Sequence, residues 1–147
     1  MVDVISEIII DAPKSFVADY AANPDNAPAW YVNIKSVKWI TAGTIQTGAQ
    51  IEFTARFLGK QLCYIYEIIE FIAGEKLVMR TDKPFEMETI YTWQAINYEK
   101  TKMSLRNKGN PTGFSKLFQP FMISAMKRAN KKDLKLLKSI LENKINN

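Results

Sequence analysis

Valine and isoleucine dominate Val2 to Ile10, a run that predicts a β-strand. Asp11-Ala12-Pro13 then sets an acid and a proline suited to a first helical turn ahead of Phe16, Val17 and Tyr20 at helical spacing. That helix is short, because Asn23 precedes Pro24 and a residue before proline is pushed out of the helical region. A second short helical turn runs from Pro24 to Trp30.

From Ile34 to Lys108 the period changes to two. Ile34 to Thr41 reads as a strand, and Gln46-Thr47-Gly48 turns the chain into Gln50 to Phe57. There Ile51, Phe53, Ala55 and Phe57 alternate with Gln50, Glu52, Thr54 and Arg56, the mark of a half-buried strand. Further strands follow at Gln61 to Ile72, Glu75 to Thr81, Met87 to Asn97 and Lys102 to Lys108, with Leu58-Gly59-Lys60, Ala73-Gly74, Lys83-Pro84 and Tyr98 to Thr101 as turns. Connections this short imply an antiparallel meander.

The period changes once more near Thr112 or Gly113. Apolar residues at 114, 117, 118, 121, 122, 125, 126, 129, 136, 137, 140 and 141 predict one long amphipathic helix, which Pro120 kinks or starts late. A helix of this length arriving after many strands must bury its stripe against the sheet. The gap between the two is a candidate pocket.

Composition supports one domain over residues 1–147, long enough to bury a core. No apolar run approaches the roughly 20 residues that span a bilayer, and the acid-bearing start does not read as a signal peptide, so the expected compartment is the cytoplasm. The net charge of +5 is unevenly placed. Residues 127–147 hold seven basic side chains (Lys127, Arg128, Lys131, Lys132, Lys135, Lys138, Lys144) against two acids, and the rest of the chain is neutral. A solvated helix face is the favoured reading, with an anionic-lipid surface as the alternative. No aromatic-rich nucleic-acid motif accompanies the charge, so no nucleic-acid partner is expected.

The absence of histidine excludes Ser-His-Asp, Cys-His and zinc-histidine chemistry, and no metal or cofactor is expected. The one cysteine, Cys63, reads as a structural core residue in Leu62-Cys63-Tyr64-Ile65-Tyr66. Glu67 and Glu70 are acids in an otherwise apolar strand; one of them facing inward would be available for acid/base work, although solvent exposure is the favoured reading. No residue is assigned a catalytic role.

The element order and several local motifs resemble the helix-grip fold of the Bet v 1 and START-like superfamily, and more closely its polyketide cyclase/dehydrase branch, the SRPBCC proteins. The residues carrying the resemblance are Ile9-Ile10-Asp11-Ala12-Pro13 with Val17, Asn23-Pro24 leading to Trp30, the Glu67-Ile68-Ile69-Glu70-Phe71 to Gly74-Glu75-Lys76-Leu77-Val78 hairpin, and the amphipathic last helix. It extends over essentially the whole chain. The resemblance implies an α+β domain with a seven-stranded antiparallel sheet curved around the long C-terminal helix, two short helices after the first strand, and a cavity among them. Members bind sterols, lipids, hormones or polyketide intermediates, and some catalyse cyclisation or dehydration.

Seventeen aromatic residues and six methionines suit an adaptable apolar wall. Trp30, Phe53, Tyr66, Met79, Tyr91, Trp93, Phe118, Phe121 and Met122 are the lining candidates, with Arg80 as a polar contact. Arg80 also has the bland reading of an outward ion pair. Met87, Thr89, Tyr91 and Trp93 share one face of their strand, and that face is favoured as the inner one because its opposite carries Glu88 and Gln94. The favoured function is binding of a small hydrophobic molecule, lipid-, sterol- or polyketide-like, by a monomer or homodimer. The alternatives are a polyketide aromatase/cyclase-type enzyme and a lipid-transfer module docking on membranes through the basic helix face.

Overall fold

A computed structural model of the chain describes residues 1–57, 59–83, 85–110 and 119–147. Strand β1 (Val2–Ile10) is followed by helix α1 (Lys14–Ala22), a single 3-10 turn (Pro24–Asn26) and helix α2 (Ala27–Trp30). Strands β2 (Ile34–Trp39), β3 (Gln50–Phe57), β4 (Lys60–Ile72), β5 (Lys76–Thr81), β6 (Glu86–Asn97) and β7 (Lys100–Asn110) then lead to helix α3 (Gln119–Asn146). The strands form one antiparallel sheet in the order β1-β7-β6-β5-β4-β3-β2, a meander whose last strand is capped by the first. This is the helix-grip α+β arrangement. The expected start of the last helix at Thr112 or Gly113, and Phe118 with it, lies outside the described residues.

Alternation decides which side of the sheet holds the core. On β6, Met87, Thr89, Tyr91 and Trp93 are buried while Glu86 and Gln94 are exposed, so the inner face is the one carrying Tyr91 and Trp93. Directly across, Thr101, Met103, Leu105 and Asn107 of β7 are buried in the same period of two. On β4, Tyr64 and Tyr66 turn inward, which forces Cys63, Ile65 and Glu67 onto the outer, exposed face. Cys63 is therefore not a core residue, and its Sγ lies 3.7 Å from the Thr54 hydroxyl on the outer surface. A bulge between Ile68 and Glu70 shifts the register after Ile68, and Glu70 pairs with Lys76 at 3.4 Å. Neither glutamate enters the interior.

Helix α3 lies along β1 and buries Met122, Met126, Asn130, Asp133, Leu134, Leu137 and Leu141, a stripe stepping by three or four residues. The stripe sets the rotation of the whole helix. Phe121, one residue before Met122 and about 100° around the axis, is thereby turned outward and is 58% exposed, so it does not line the interior. Leu136 is displaced to the surface for the same reason. Lys127, Arg128, Lys131, Lys132 and Lys135 stand on the exposed side. Lys138 does not belong with them: it donates to the Ile9 carbonyl at 2.9 Å and to Glu142 at 2.6 Å, while Glu142 accepts from the Asp11 amide at 2.8 Å. Together they fasten the second half of α3 to the end of β1. Among the described residues no helix is long and apolar enough to cross a membrane.

Gly109 is needed for space rather than for an unusual backbone angle. A Cβ at this position of β7 would sit 2.2 Å from the Glu86 carbonyl oxygen and 3.0 Å from the Met87 Cα. Both are backbone atoms, so relief requires β6 and β7 to part. Gly109→Ala is expected to lower stability by about 1–3 kcal/mol, the usual cost of overpacking, read as a lower urea midpoint at unchanged slope. A midpoint equal to that of the parent would mean that the two strands are not held this closely.

Candidate functional site

The core divides into two clusters. The larger packs α1, α2 and the second half of α3 on the sheet around Trp30, Leu77, Trp93 and Leu137; the smaller joins Val2, Val4, Phe85, Met87, Met122 and Met126. A cavity of about 160 Å³ borders on both. Phe53, Ala55, Tyr64, Tyr66 and Met79 come to its wall from β3, β4 and β5, and Met87, Thr89 and Tyr91 from β6. Ala21, Ala22 and Ala27 form the side made by the short helices, where small residues leave room, and Met122, Met126, Ala129, Asn130 and Asp133 form the α3 side.

Of the residues expected at the site, Phe53, Tyr66, Met79, Tyr91 and Met122 are brought together on this wall. Trp30 and Trp93 are not on it. Both are buried in the core behind it, with the Trp30 ring 4.2 Å from that of Tyr31 and 5.8 Å from that of Tyr91, and Trp93 6.1 Å from Tyr91. They support the wall instead of forming it. Arg80 must be corrected: Met79 faces inward, so alternation turns Arg80 outward, where it pairs with Glu88 directly opposite on β6 at 3.0 Å. Phe121 is excluded by the rotation of α3, and Phe118 lies outside the described residues.

The polar groups on the wall form two sets. In the first, the Thr89 hydroxyl donates to Asn107 Oδ1 at 2.8 Å and Asn107 Nδ2 donates to Asn130 Oδ1 at 3.3 Å. Thr89 and Asn107 face each other in the β6–β7 register, so the sheet itself aligns them. In the second set, the Tyr31 and Tyr91 hydroxyls are 2.5 Å apart. Asp133 is 2% exposed and its Oδ1 accepts from the Val32 amide at 2.9 Å, tying α3 to the segment after α2.

Burial governs the acid–base character of these groups. Loss of water raises the Asp133 carboxyl to about 6, opposed only by the Val32 amide. The phenols of Tyr31, Tyr64, Tyr66 and Tyr91 are all pushed up, chiefly by burial, and so stay protonated as hydrogen-bond donors. Among the described residues Asp133 is the one carboxyl on the wall, and the apolar pattern of the last helix passes over it. Its trace in the sequence is the gap between Ala129 and Leu136: continuing the three-four step from Met122 and Met126 lands on positions 130, 133 and 137. Tyr31, just past the short second helix, was likewise passed over. Among the described residues no three His, Cys, Asp or Glu side chains gather into a metal-binding set.

A family model described as polyketide cyclase/dehydrase and lipid transport matches residues 1–142. No curated protein is similar in sequence at a significant level. Among solved structures, the Zhui aromatase/cyclase of Streptomyces sp. R1128 superimposes with a TM-score of 0.82 at 11% identity, covering 97% of this chain and 94% of that one. A START superfamily protein of Mycobacterium smegmatis gives 0.79 at 11% identity, covering 96% and 97% respectively. The di-domain ARO/CYC protein BexL of the BE-7585A biosynthetic pathway gives 0.78 at 18% identity; 97% of this chain is covered and this chain spans 47% of that one. At these identities the likeness shows the shared fold.

Proposed function

The chain belongs to the polyketide cyclase/dehydrase and lipid-transport family, and on that premise we propose that it binds a small hydrophobic molecule in the cavity between the sheet and α3. The observation carrying the proposal is the cavity of about 160 Å³, walled mainly by methionine, aromatic and alanine side chains. An apolar cavity of about 150 Å³ holds a benzene-sized guest, whereas drug-sized ligands occupy roughly 300–1,000 Å³. A one- or two-ring molecule or a short acyl chain therefore suits this volume better than a sterol does. Met79, Met87, Met122 and Met126 supply walls that adapt to shape.

Native mass spectrometry of the purified protein, before and after incubation with one-ring apolar compounds, tests the proposal. A bound mass is expected, and Ala129→Trp, which fills the cavity from the α3 side, is expected to weaken binding at least tenfold while leaving a cooperative thermal transition. Binding unchanged in Ala129→Trp would place the ligand elsewhere and sink the proposal.

A second reading is supported by Asp133. A carboxyl at about 6 beside the Tyr31–Tyr91 phenol pair has the proton-exchange capacity that an aromatase/cyclase-type reaction on a confined substrate requires. Mass change of a bound ligand on incubation separates this reading from simple binding. Membrane-surface docking through the exposed basic residues of α3 at 127, 128, 131, 132 and 135 is the third, tested by salt-sensitive sedimentation with anionic vesicles.

A further inference from the structure

The hydrogen bonds of the Thr89–Asn107–Asn130 set run in one direction. The Thr89 hydroxyl donates to Asn107 Oδ1, which leaves the Asn107 amide nitrogen as the donor to Asn130 Oδ1. The Asn130 carbonyl is thereby occupied, and its amide nitrogen is the group left over. Asn130 is 5% exposed and lines the cavity, and its Nδ2 is buried without a hydrogen-bond partner among the described residues. Turning over Asn130 alone would set two NH2 groups against each other at the 3.3 Å contact, and turning over Asn107 with it, with Thr89 accepting, would leave Asn130 Oδ1 over instead; in either arrangement one polar atom of this amide borders the cavity unpaired. A buried donor left unmade is destabilising by about 1–3 kcal/mol, and unlike the unpaired Trp30 and Trp93 indole nitrogens, which belong to residues off the cavity wall, this one belongs to a residue on it.

We propose that Asn130 Nδ2 is the polar anchor of the cavity, and that the ligand is an apolar molecule carrying a hydrogen-bond-accepting oxygen, a carbonyl or ether, at the end that meets α3. The inference deepens the binding function proposed above and rests on it. Phe53, Leu77, Met79, Phe85 and Met87 on the same wall take only hydrocarbon. A molecule with one polar end and an apolar body therefore matches the cavity, and a plain hydrocarbon leaves Asn130 unsatisfied.

The test compares acetophenone with α-methylstyrene, which have the same shape and differ in a carbonyl oxygen replaced by a methylene group. Both are titrated into the full chain and followed by NMR shifts of the protein. The parent is expected to bind the ketone on the order of tenfold more tightly, the value of one buried hydrogen bond. Asn130→Leu is expected to abolish that preference while still taking up α-methylstyrene. Asn130→Asp, which keeps an oxygen to accept from Asn107 and replaces the donor by an acceptor, is expected to disfavour the ketone as well. If the parent binds both compounds equally, a donor satisfied by buried water being one cause, the anchor is refuted and the binding cavity stands. If the parent binds neither, the cavity reading itself is overturned together with the anchor.

Discussion

Replacing Trp30 with alanine is expected to lower the free energy of unfolding by about 3–5 kcal/mol, the range for removing a fully buried large aromatic. Trp30 is 0% exposed and supports two rings of the cavity wall, Tyr31 at 4.2 Å and Tyr91 at 5.8 Å. Without it, the contact between the Tyr31 and Tyr91 hydroxyls loses its backing, so ligand uptake should fall together with stability. Trp30→Phe separates packing from polarity. The indole Nε1 is buried with no hydrogen-bond partner among the described residues, so phenylalanine removes an unmade donor along with part of the ring. Those effects oppose, and a loss below about 1.5 kcal/mol is expected. Urea unfolding followed by far-ultraviolet circular dichroism measures both, since Trp39 and Trp93 would complicate a fluorescence readout. Equal losses for alanine and phenylalanine would show that the ring's volume is not what holds the two tyrosines.

Asp133→Asn is expected to stabilise the protein at neutral and higher pH. In the folded chain the carboxyl is raised from 3.8 to about 6 by burial. A raised carboxylate means that the folded state binds the proton more tightly than the unfolded state, so stability falls as pH rises between about 4 and 6 and stays low above that window. The charged form is destabilising by about 3 kcal/mol at pH 8 on the standard conversion of 1.36 kcal/mol per pKa unit. Asparagine keeps an oxygen for the Val32 amide and carries no charge, so most of that amount should be regained at pH 8. Below about pH 3 the aspartate is protonated in both states and the two proteins should be alike, and at pH 4 most of the difference should already be gone. Denaturant midpoints of parent and variant at pH 4 and pH 8 check this. A gain of equal size at both values would trace the effect to packing and not to charge. A gain confined to pH 8 would accord with the aromatase/cyclase-type reading proposed above, because functional sites give up stability for function.

Much of the fold was legible because its signals are local. Period-two alternation, glycine turns and the Asn23-Pro24 break each act within a few residues, and the strands they mark lie within a few residues of those observed. The inner face of β6 was legible as well, since Glu88 and Gln94 share the side opposite Tyr91. Cys63 was misplaced because both faces of β4 carry apolar residues, and there composition outweighed phase: Ile65 is 49% exposed although nothing in its type requires it. Arg80 had a sound outward reading, and its partner Glu88 depended on the β5–β6 register, which sets the two directly opposite each other.

The division follows from the range of the forces. Helix and strand periods, the antiparallel order and the basic outer face of the last helix are written in neighbouring residues, and the sequence by itself determines them. The rotation of α3 is a tertiary quantity, because it depends on which residues the curved sheet accepts. That rotation put Phe121 into solvent and drew Asn130 and Asp133 inward, since Asn107 on β7 and the Val32 amide offered them hydrogen bonds that no sequence window contains. The apolar wall was thus predictable from residue type, and its polar anchors were decided only when strand, loop and helix met.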